Sequence, residues 1–215
     1  MNIYIYNNIN MNIEINNNYG AGAFLELSNA TNIPKKLSDK KYQKFDEISL
    51  INCPLTDKEL NKLPKTIRFV NYTGSTPINI DILNNNILTI SLYKSSVQTI
   101  DLSTFPKLKG LNLFHSILQT FDLSKYKYSK SLTGISISRN KKLKSINLGN
   151  KTVNLTWLSV NVNDSLRELV NLNAPKLEFF KAHNNDLWKV FKFKSLGKIT
   201  KLDIEHSMLS KLEGP

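Results

Sequence analysis

Residues 108–123 read LKGLNLFHSILQTFDL, and residues 87–102 read ILTISLYKSSVQTIDL. When the two stretches are aligned, their apolar residues coincide, as Leu111 does with Ile90 and Leu113 with Leu92. Within each phrase apolar and polar residues alternate, which is typical of a strand that buries one face. A repeat of fixed period therefore decides the architecture of this chain.

Copies of the same phrase extend over most of the sequence. Their starts are Phe45, Ile67, Leu132, Leu155, Leu177 and Ile199, with a degenerate copy near Gly22. The starts lie about 20 to 24 residues apart, which accommodates one strand and a short return segment. Because a single strand cannot bury its apolar face alone, the stacked copies predict a parallel sheet over one continuous core.

The repeated phrase resembles the leucine-rich repeat, L-x-x-L-x-L-x-x-N-x-L, over about residues 22–212. Return phrases such as TIDLSTFPKL are most similar to the bacterial-type irregular repeats of about 22 residues. The resemblance implies an α/β solenoid that is mostly β: a curved leucine-rich-repeat solenoid with a parallel concave sheet and short extended, 3-10 or helical return segments. It also implies a non-enzymatic recognition module that binds a protein or peptide partner on the concave face.

The ninth position of each copy carries a small or polar residue. These residues are Ala30, Cys53, Ser75, Ser95, Ser116, Asn140, Asn163, Asn185 and Ser207. In the family this residue is usually Asn, whose amide satisfies backbone groups where the chain leaves the strand, and Ser or Cys can replace it with fewer hydrogen bonds. Cys53 is the only cysteine, so an intrachain disulfide is excluded and a buried structural thiol is expected rather than a nucleophile.

The pattern predicts two domains, an N-terminal capping hairpin over 1–21 and a repeat domain of eight to nine repeats over 22–215. Thr56 and Glu59 have the spacing of a capping box, which predicts a short helix within 56–63. The last copy ends at Leu212 without a comparable cap. Its open apolar edge is expected to self-associate edge to edge or to continue into a longer chain.

The third, fifth, seventh and eighth positions of each copy are expected to face outward from the concave sheet. All three histidines and several large aromatic residues occupy them. The predicted partner-binding residues are Phe69, Tyr93, Lys94, Phe114, His115, Arg139, Trp157, Phe179, Lys181, His183 and His206. Exposed aromatic side chains flanked by Arg and His have the composition of a binding hot spot. The alternative is that these aromatics suit sheets in general and that Phe114 stacks on Tyr93 to stabilise the solenoid.

Neither a catalytic motif nor a cofactor motif is present, since the sequence lacks a glycine-rich phosphate loop and a G-x-S-x-G motif. We therefore expect no enzyme activity and no cofactor. His183 and His206 fall on neighbouring strands, but no third ligand is evident, so two solvated histidines are expected rather than a metal site.

The formal net charge is +12, from 29 Lys and Arg against 17 Asp and Glu. Most return segments contain lysines, among them Lys125, Lys127, Lys141, Lys142 and Lys192, so nucleic-acid or anionic-surface binding through convex lysines is the alternative function. An Asn-, Ile- and Lys-rich codon bias would explain the same charge without any such role.

Neither a membrane-spanning stretch nor a signal peptide is evident in the sequence, which predicts a cytoplasmic location. A further alternative is the recognition part of a secreted bacterial effector that leaves the cell by non-classical secretion.

Overall fold

The computed structural model describes residues 3–4, 12–16, 23–31, 45–186 and 188–214. The strands are β1 (Ile3–Tyr4), β2 (Asn12–Asn16), β3 (Ala23–Ser28), β4 (Phe45–Ile51), β5 (Phe69–Thr73), β6 (Thr89–Tyr93), β7 (Gly110–Phe114), β8 (Thr120–Asp122), β9 (Gly134–Ser138), β10 (Ser145–Asn147), β11 (Trp157–Ser159), β12 (Glu168–Ala174), β13 (Phe179–Lys181), β14 (Val190–Leu196), β15 (Lys201–Asp203) and β16 (Lys211–Glu213). Within these ranges, eleven strands form one sheet in the order β1-β2-β3-β4-β5-β6-β7-β9-β11-β13-β15. Five more form a second sheet in the order β16-β14-β12-β10-β8.

From β3 to β15 the strands of the larger sheet run parallel, and the repeated phrases pair in register. Leu111 is paired with Ile135, Ile135 with Leu158, and Leu158 with Phe180. Each turn therefore places its apolar strand residues beside those of the next turn, as the aligned phrases predicted. Over the described residues the chain is a mostly β solenoid with a parallel sheet, about eight turns and little helix, which confirms the predicted mostly β solenoid fold.

Two antiparallel strands lie at the N-terminal edge of this sheet. β1 pairs with β2 through Ile3 and Ile15, and β2 pairs with β3 through Ile13 and Leu27. The rest of the predicted capping hairpin lies outside the described residues. The division of the chain at residues 21 and 22 stays a prediction.

The core is built from the repeated Leu, Ile and Val positions. In the central copies the first, fourth and sixth residues are essentially inaccessible, as for Leu108, Leu111 and Leu113. Burying one such side chain stabilises the fold by about 1.5–3 kcal/mol. The last copy differs, because Leu202 and Ile204 occupy the same positions but remain 56% and 38% exposed.

The return segments complete the core from the back. In the later turns they form the second sheet, in which Phe121, Ile146, Leu169 and Phe191 are aligned and buried. In the second copy the return contains α1 (Asp57–Leu60), which confirms the helix predicted within 56–63. Thr56 caps this helix, and its Oγ1 accepts a hydrogen bond from the Glu59 amide at 3.4 Å. Single 3-10 turns occur at Ile80–Ile82 and Ser129–Ser131. No helix in the described ranges has the length and apolar character needed to cross a bilayer.

A ladder of three asparagine side chains joins the later turns. The side-chain oxygen of Asn163 accepts a hydrogen bond from the backbone N–H of Asn140 at 3.0 Å. The side-chain oxygen of Asn185 accepts one from the backbone N–H of Asn163 at 3.0 Å. The side-chain nitrogen of Asn163 donates to the Ile137 carbonyl at 2.9 Å. All three asparagine residues are fully buried. The predicted role of the ninth position is therefore confirmed in these turns.

Other residues replace the amide in the earlier turns. The Cys53 thiol donates to the Leu27 carbonyl at 3.1 Å, and burial raises the pKa of this thiol, as expected for a structural cysteine. The hydroxyls of Ser95 and Ser116 are 2.8 Å apart. Ser75 does not fit the expectation, because it is exposed. The reason is that the buried Tyr72 places its hydroxyl near this turn, where it donates to the Thr76 carbonyl at 2.6 Å.

We predict that Asn163→Ala destabilises the chain by about 2–4 kcal/mol. The substitution leaves the Asn140 amide and the Ile137 carbonyl buried without their partners, and each such group costs about 1–3 kcal/mol. Equilibrium urea unfolding measures the change. Asn150→Ala, which alters an exposed asparagine, is the matched control and should change stability by less than about 0.5 kcal/mol. Equal losses in the two variants would contradict the role assigned to the ladder.

Candidate partner-binding surface

The concave face of the larger sheet is organised in rows that run across the strands. The row of third positions contains Phe69, Thr89, Gly110, Gly134, Trp157, Phe179 and Lys201. The row of fifth positions contains Asn71, Ser91, Asn112, Ser136, Ser159, Lys181 and Asp203. In this second row short polar side chains bond to one another, as Asn112 does to Ser91 at 3.1 Å. The middle of the face is therefore low and polar.

The first aromatic cluster lies at the carboxyl end of β6 and β7. The rings of Tyr93 and Phe114 stack with centroids 5.1 Å apart, and the His115 ring lies 5.2 Å from Phe114. The guanidinium of Arg139 lies 5.3 Å from the Phe114 ring, and the ammonium of Lys94 lies 5.4 Å from the Tyr93 ring. We call these five residues the Tyr93 cluster. Tyr93 remains 37% exposed, so the stack presents an aromatic edge to solvent.

The second aromatic cluster lies at the amino end of β11 and β13. Trp157 and Phe179 stack with centroids 5.7 Å apart. The ammonium groups of Lys181 and Lys201 lie 5.7 and 5.4 Å from the Phe179 ring. We call these four residues the Trp157 cluster. Both clusters combine a partly exposed stack with cations, and of these cations Lys181 also lies within ion-pair distance of Asp203.

The two clusters are separate, because they lie at opposite ends of the strands. Third and seventh positions are about 13 Å apart along a strand, and two strand spacings add about 10 Å across the sheet. Strand β9 lies between them with Gly134 and Ser136 on this face. The predicted residues thus form two cation-flanked aromatic pairs with a low polar strip between them. Phe69 lies apart from both and contacts the Arg68 guanidinium at 5.7 Å.

His183 is paired with Asp203, a contact that was not predicted from the sequence. The Nδ1 atom of His183 lies 2.8 Å from Oδ2 of Asp203, and the ammonium of Lys181 lies 3.8 Å from the same oxygen. The hydrogen bond from His183 lowers the pKa of the Asp203 carboxyl below its usual range. His206, the other histidine of the predicted pair, is exposed. Among the described residues, no group of three or more His, Cys, Asp and Glu side chains could hold a metal ion.

The eighth position of nearly every copy has left-handed backbone. Residues with positive φ at this position are Asn29, Asn52, Lys94, His115, Arg139, Val162, Asn184 and His206. The left-handed residue ends the concave strand and turns the chain toward the buried ninth position. Its own side chain is then placed beside the seventh-position side chains, which is why His115 contacts Phe114. The backbone geometry of the repeat therefore positions part of the Tyr93 cluster.

The stacking of Phe114 on Tyr93 is compatible with both interpretations of the aromatic residues, a binding hot spot and a stack that stabilises the solenoid. Mutual stacking covers part of each ring and strengthens the sheet, while the remaining ring surface and the cations stay accessible. Lys201 and Asp203 belong to the same surface and were not included in the predicted set. Their positions in the repeat indicate this placement, because they are the third and fifth residues of the last copy, and both positions face outward.

Comparison with known proteins gives a limited result. No protein-family model matches the sequence, and no curated protein is significantly similar to it. The leucine-rich repeat domain of APL1B is similar at 12% identity with a TM-score of 0.42, over 85% of this chain and 68% of that chain. The functional domain of InlJ from Listeria monocytogenes, which includes a cysteine ladder, is similar at 12% identity with a TM-score of 0.35, over 86% of this chain and 63% of that chain. The assignment of the solenoid follows from the strand register and the asparagine ladder of this chain itself.

We predict that Val162→Asn stabilises the chain by about 1 kcal/mol. Val162 has a φ of 56°, and left-handed backbone is costly for a β-branched residue but well tolerated by Asn. In a chain of this size the gain corresponds to an increase in Tm of about 2–4 °C, measurable by circular dichroism. Val162→Ala is the control, because Ala does not share the tolerance of Asn for this conformation. A stability gain in the Ala variant equal to that in the Asn variant would show that backbone strain is not the cause.

Proposed function

We propose that this protein is a non-enzymatic recognition module that binds a protein or peptide partner on the concave face. The observation that carries the proposal is the pair of aromatic clusters on a face whose central strands, β6 to β11, otherwise present Ser, Asn, Thr and Gly. Interface hot spots are enriched in aromatic and Arg side chains. The low strip between the clusters leaves room for a partner segment to contact both.

The chemistry of the clusters specifies the kind of partner segment. The stacked rings offer flat apolar surface for aromatic or aliphatic side chains. The cations of Lys94, Arg139 and Lys201 surround these rings on the same face. A segment with apolar side chains flanked by carboxylates would satisfy both features. Its charge would also accelerate association with this basic protein.

The alternative, nucleic-acid or anionic-surface binding through convex lysines, is supported mainly by the net charge. Two of the lysines that suggested it have other contacts. The ammonium of Lys127 lies 4.6 Å from the Tyr128 ring, and that of Lys192 lies 2.8 Å from Glu213. The remaining convex lysines are explained equally well as the charged residues of a solvent-exposed face. The aromatic clusters have no comparable explanation from solubility alone, so the concave face is favoured.

We predict that a Phe114→Ala, Trp157→Ala double variant loses binding to peptides selected on the wild-type chain. A random peptide phage library supplies the probes, and the affinity of the enriched peptides is measured by fluorescence anisotropy. Removing two hot-spot aromatics should weaken binding at least about tenfold. The single variants show which cluster each peptide uses.

Tyr128→Ala is the matched control, because Tyr128 is a half-buried aromatic residue in a return segment. It should leave peptide affinity unchanged, and circular dichroism verifies that all variants are folded. Full affinity in the folded double variant would exclude the concave assignment. An affinity that falls steeply with salt concentration but does not change in the Phe114→Ala and Trp157→Ala variants would favour binding through the convex lysines instead.

We also propose that two copies of the chain associate through the edge formed by β15 and β16. Leu202, Ile204, Met208 and Leu212 are between 38% and 63% exposed at this edge. Among the described residues β15 and β16 are the terminal strands of their sheets, so each has one side without a described neighbouring strand. An exposed strand edge with an apolar lining is a template for pairing with another chain.

The charges on this edge favour a second copy as the occupant. β15 reads Lys-Leu-Asp and β16 reads Lys-Leu-Glu. An antiparallel pair of β15 strands related by a two-fold axis at Leu202 would place Lys201 of each copy opposite Asp203 of the other. Opposite charges in directly facing positions stabilise such a pair, and like charges destabilise it.

We predict that charge reversal converts this self-association into mixed association. Lys201→Glu gives an edge with two acidic residues, and Asp203→Lys gives one with two basic residues. Each variant alone should be monomeric in analytical ultracentrifugation at concentrations where the wild type dimerises. An equimolar mixture should dimerise again, because the facing charges are then opposite. A monomeric wild type, or a mixture that stays monomeric, would contradict the proposal.

A further inference from the structure

A basic channel runs along the rim of the solenoid, beside the amino ends of the concave strands. Its first part is a groove lined by Lys107, Lys109, Lys130 and Lys176 together with Leu88 and several hydroxyl and amide side chains. Its second part is an adjoining groove that shares Leu88 and Lys107 with the first and adds Lys65 and Arg68. The shared residues make the two grooves one continuous feature.

Most of the positive charge in this channel is uncompensated. Among the described residues, six cationic side chains line it against one carboxylate, that of Asp46, which binds the Arg68 guanidinium at 2.9 Å. None of the five lysines forms an ion pair with a described residue. Like charges along one groove repel each other, so an anionic ligand would reduce the electrostatic repulsion among these side chains.

Two of the lysines are held on the rim by the same contact, repeated in different turns. The ammonium of Lys107 donates to the Asn86 amide oxygen at 2.8 Å, and that of Lys176 donates to the Asn154 amide oxygen at 2.9 Å. In both cases the lysine and the asparagine directly precede the first core residue of adjacent copies. A neutral amide orients the ammonium without cancelling its charge. The channel therefore has partly preorganised cations.

We propose that this channel binds an acidic polypeptide segment in an extended conformation. The cationic part of the lining extends from Lys65, just before β5, to Lys176, just before β13, which is five strand spacings or about 24 Å. An extended chain covers that distance with about seven residues. The methyl groups of Thr133 and Thr156 and the side chain of Leu88 offer apolar contacts between the charges, which suits a peptide backbone and its side chains.

Single-stranded nucleic acid fits the channel less well. Proteins that bind it combine a basic groove with aromatic side chains on which the bases stack. None of the described residues that line either groove is aromatic. The aromatic side chains of the concave face belong to the two clusters described above and lie outside this lining. The proposal does not rest on the concave site, since none of the lining residues belongs to either cluster.

The test uses the full chain and a fluorescein-labelled decaglutamate peptide, with anisotropy measured at low ionic strength and again with added salt. The test variant is Lys109→Gln, Lys130→Gln, because neither ammonium has a hydrogen-bond or ion-pair partner among the described residues. We expect it to bind about tenfold more weakly than the wild type. The control variant, Lys125→Gln, Lys142→Gln, removes the same charge from exposed positions outside the channel and should change affinity less than about twofold.

Three outcomes would overturn the proposal. The first is no measurable binding of decaglutamate by the wild type at low salt. The second is an equal loss of affinity in the test and control variants, which would indicate attraction by net charge alone. The third is tighter, channel-dependent binding of an oligothymidylate than of decaglutamate, which would assign the channel to nucleic acid. The Phe114→Ala, Trp157→Ala variant should bind decaglutamate like the wild type, so this test and that of the concave face fail independently.

Discussion

The buried amide ladder of Asn140, Asn163 and Asn185 is the interaction on which the later turns depend. Where each concave strand ends, the chain leaves the sheet and its backbone groups lose their strand partners. An asparagine in the next turn supplies an acceptor for the amide and a donor for a carbonyl. Because buried backbone groups without partners are costly, a turn is stable only when its neighbour is in place. The ladder thus couples the turns in addition to the apolar core.

This coupling also separates structure from recognition within each copy. In the central copies the first, fourth, sixth and ninth residues are buried in the core or the ladder, and in nearly every copy the eighth residue has left-handed backbone. The side chains at the third, fifth, seventh and eighth positions are not part of the core or the ladder. Tyr93, Phe114, Trp157 and Phe179 could therefore be acquired one turn at a time, without changing the solenoid beneath them. Val162 shows the limit of this freedom, since its conformation is unfavourable for its residue type.

The strands and the core were predictable because their signal is local and repeated eight times. The second sheet was not, since strands such as Thr120–Asp122 have three residues and one apolar side chain, too few for a recognisable alternation. The exposure of Ser75 at a ninth position was not predictable, because an alignment does not show that Tyr72 carries a hydroxyl to the same turn. The basic channel was not predictable for a different reason. Lys107 and Lys176 are ordinary surface lysines in sequence, and only the stacking of turns brings them to one groove.

The border between the channel and the concave face is set by two glycines. A Cβ atom at Gly110 would lie 3.0 Å from the Thr89 hydroxyl, which is tighter than ordinary contact, so the neighbouring side chain opposes any larger residue there. A Cβ atom at Gly134 would lie 3.7 Å from the Trp157 ring, and a longer side chain would cover that ring. The two glycines keep the third-position row low between Thr89 and Trp157. A partner that places an acidic segment in the channel could therefore continue across this gap to the Trp157 cluster, so the two surfaces could be occupied by one chain.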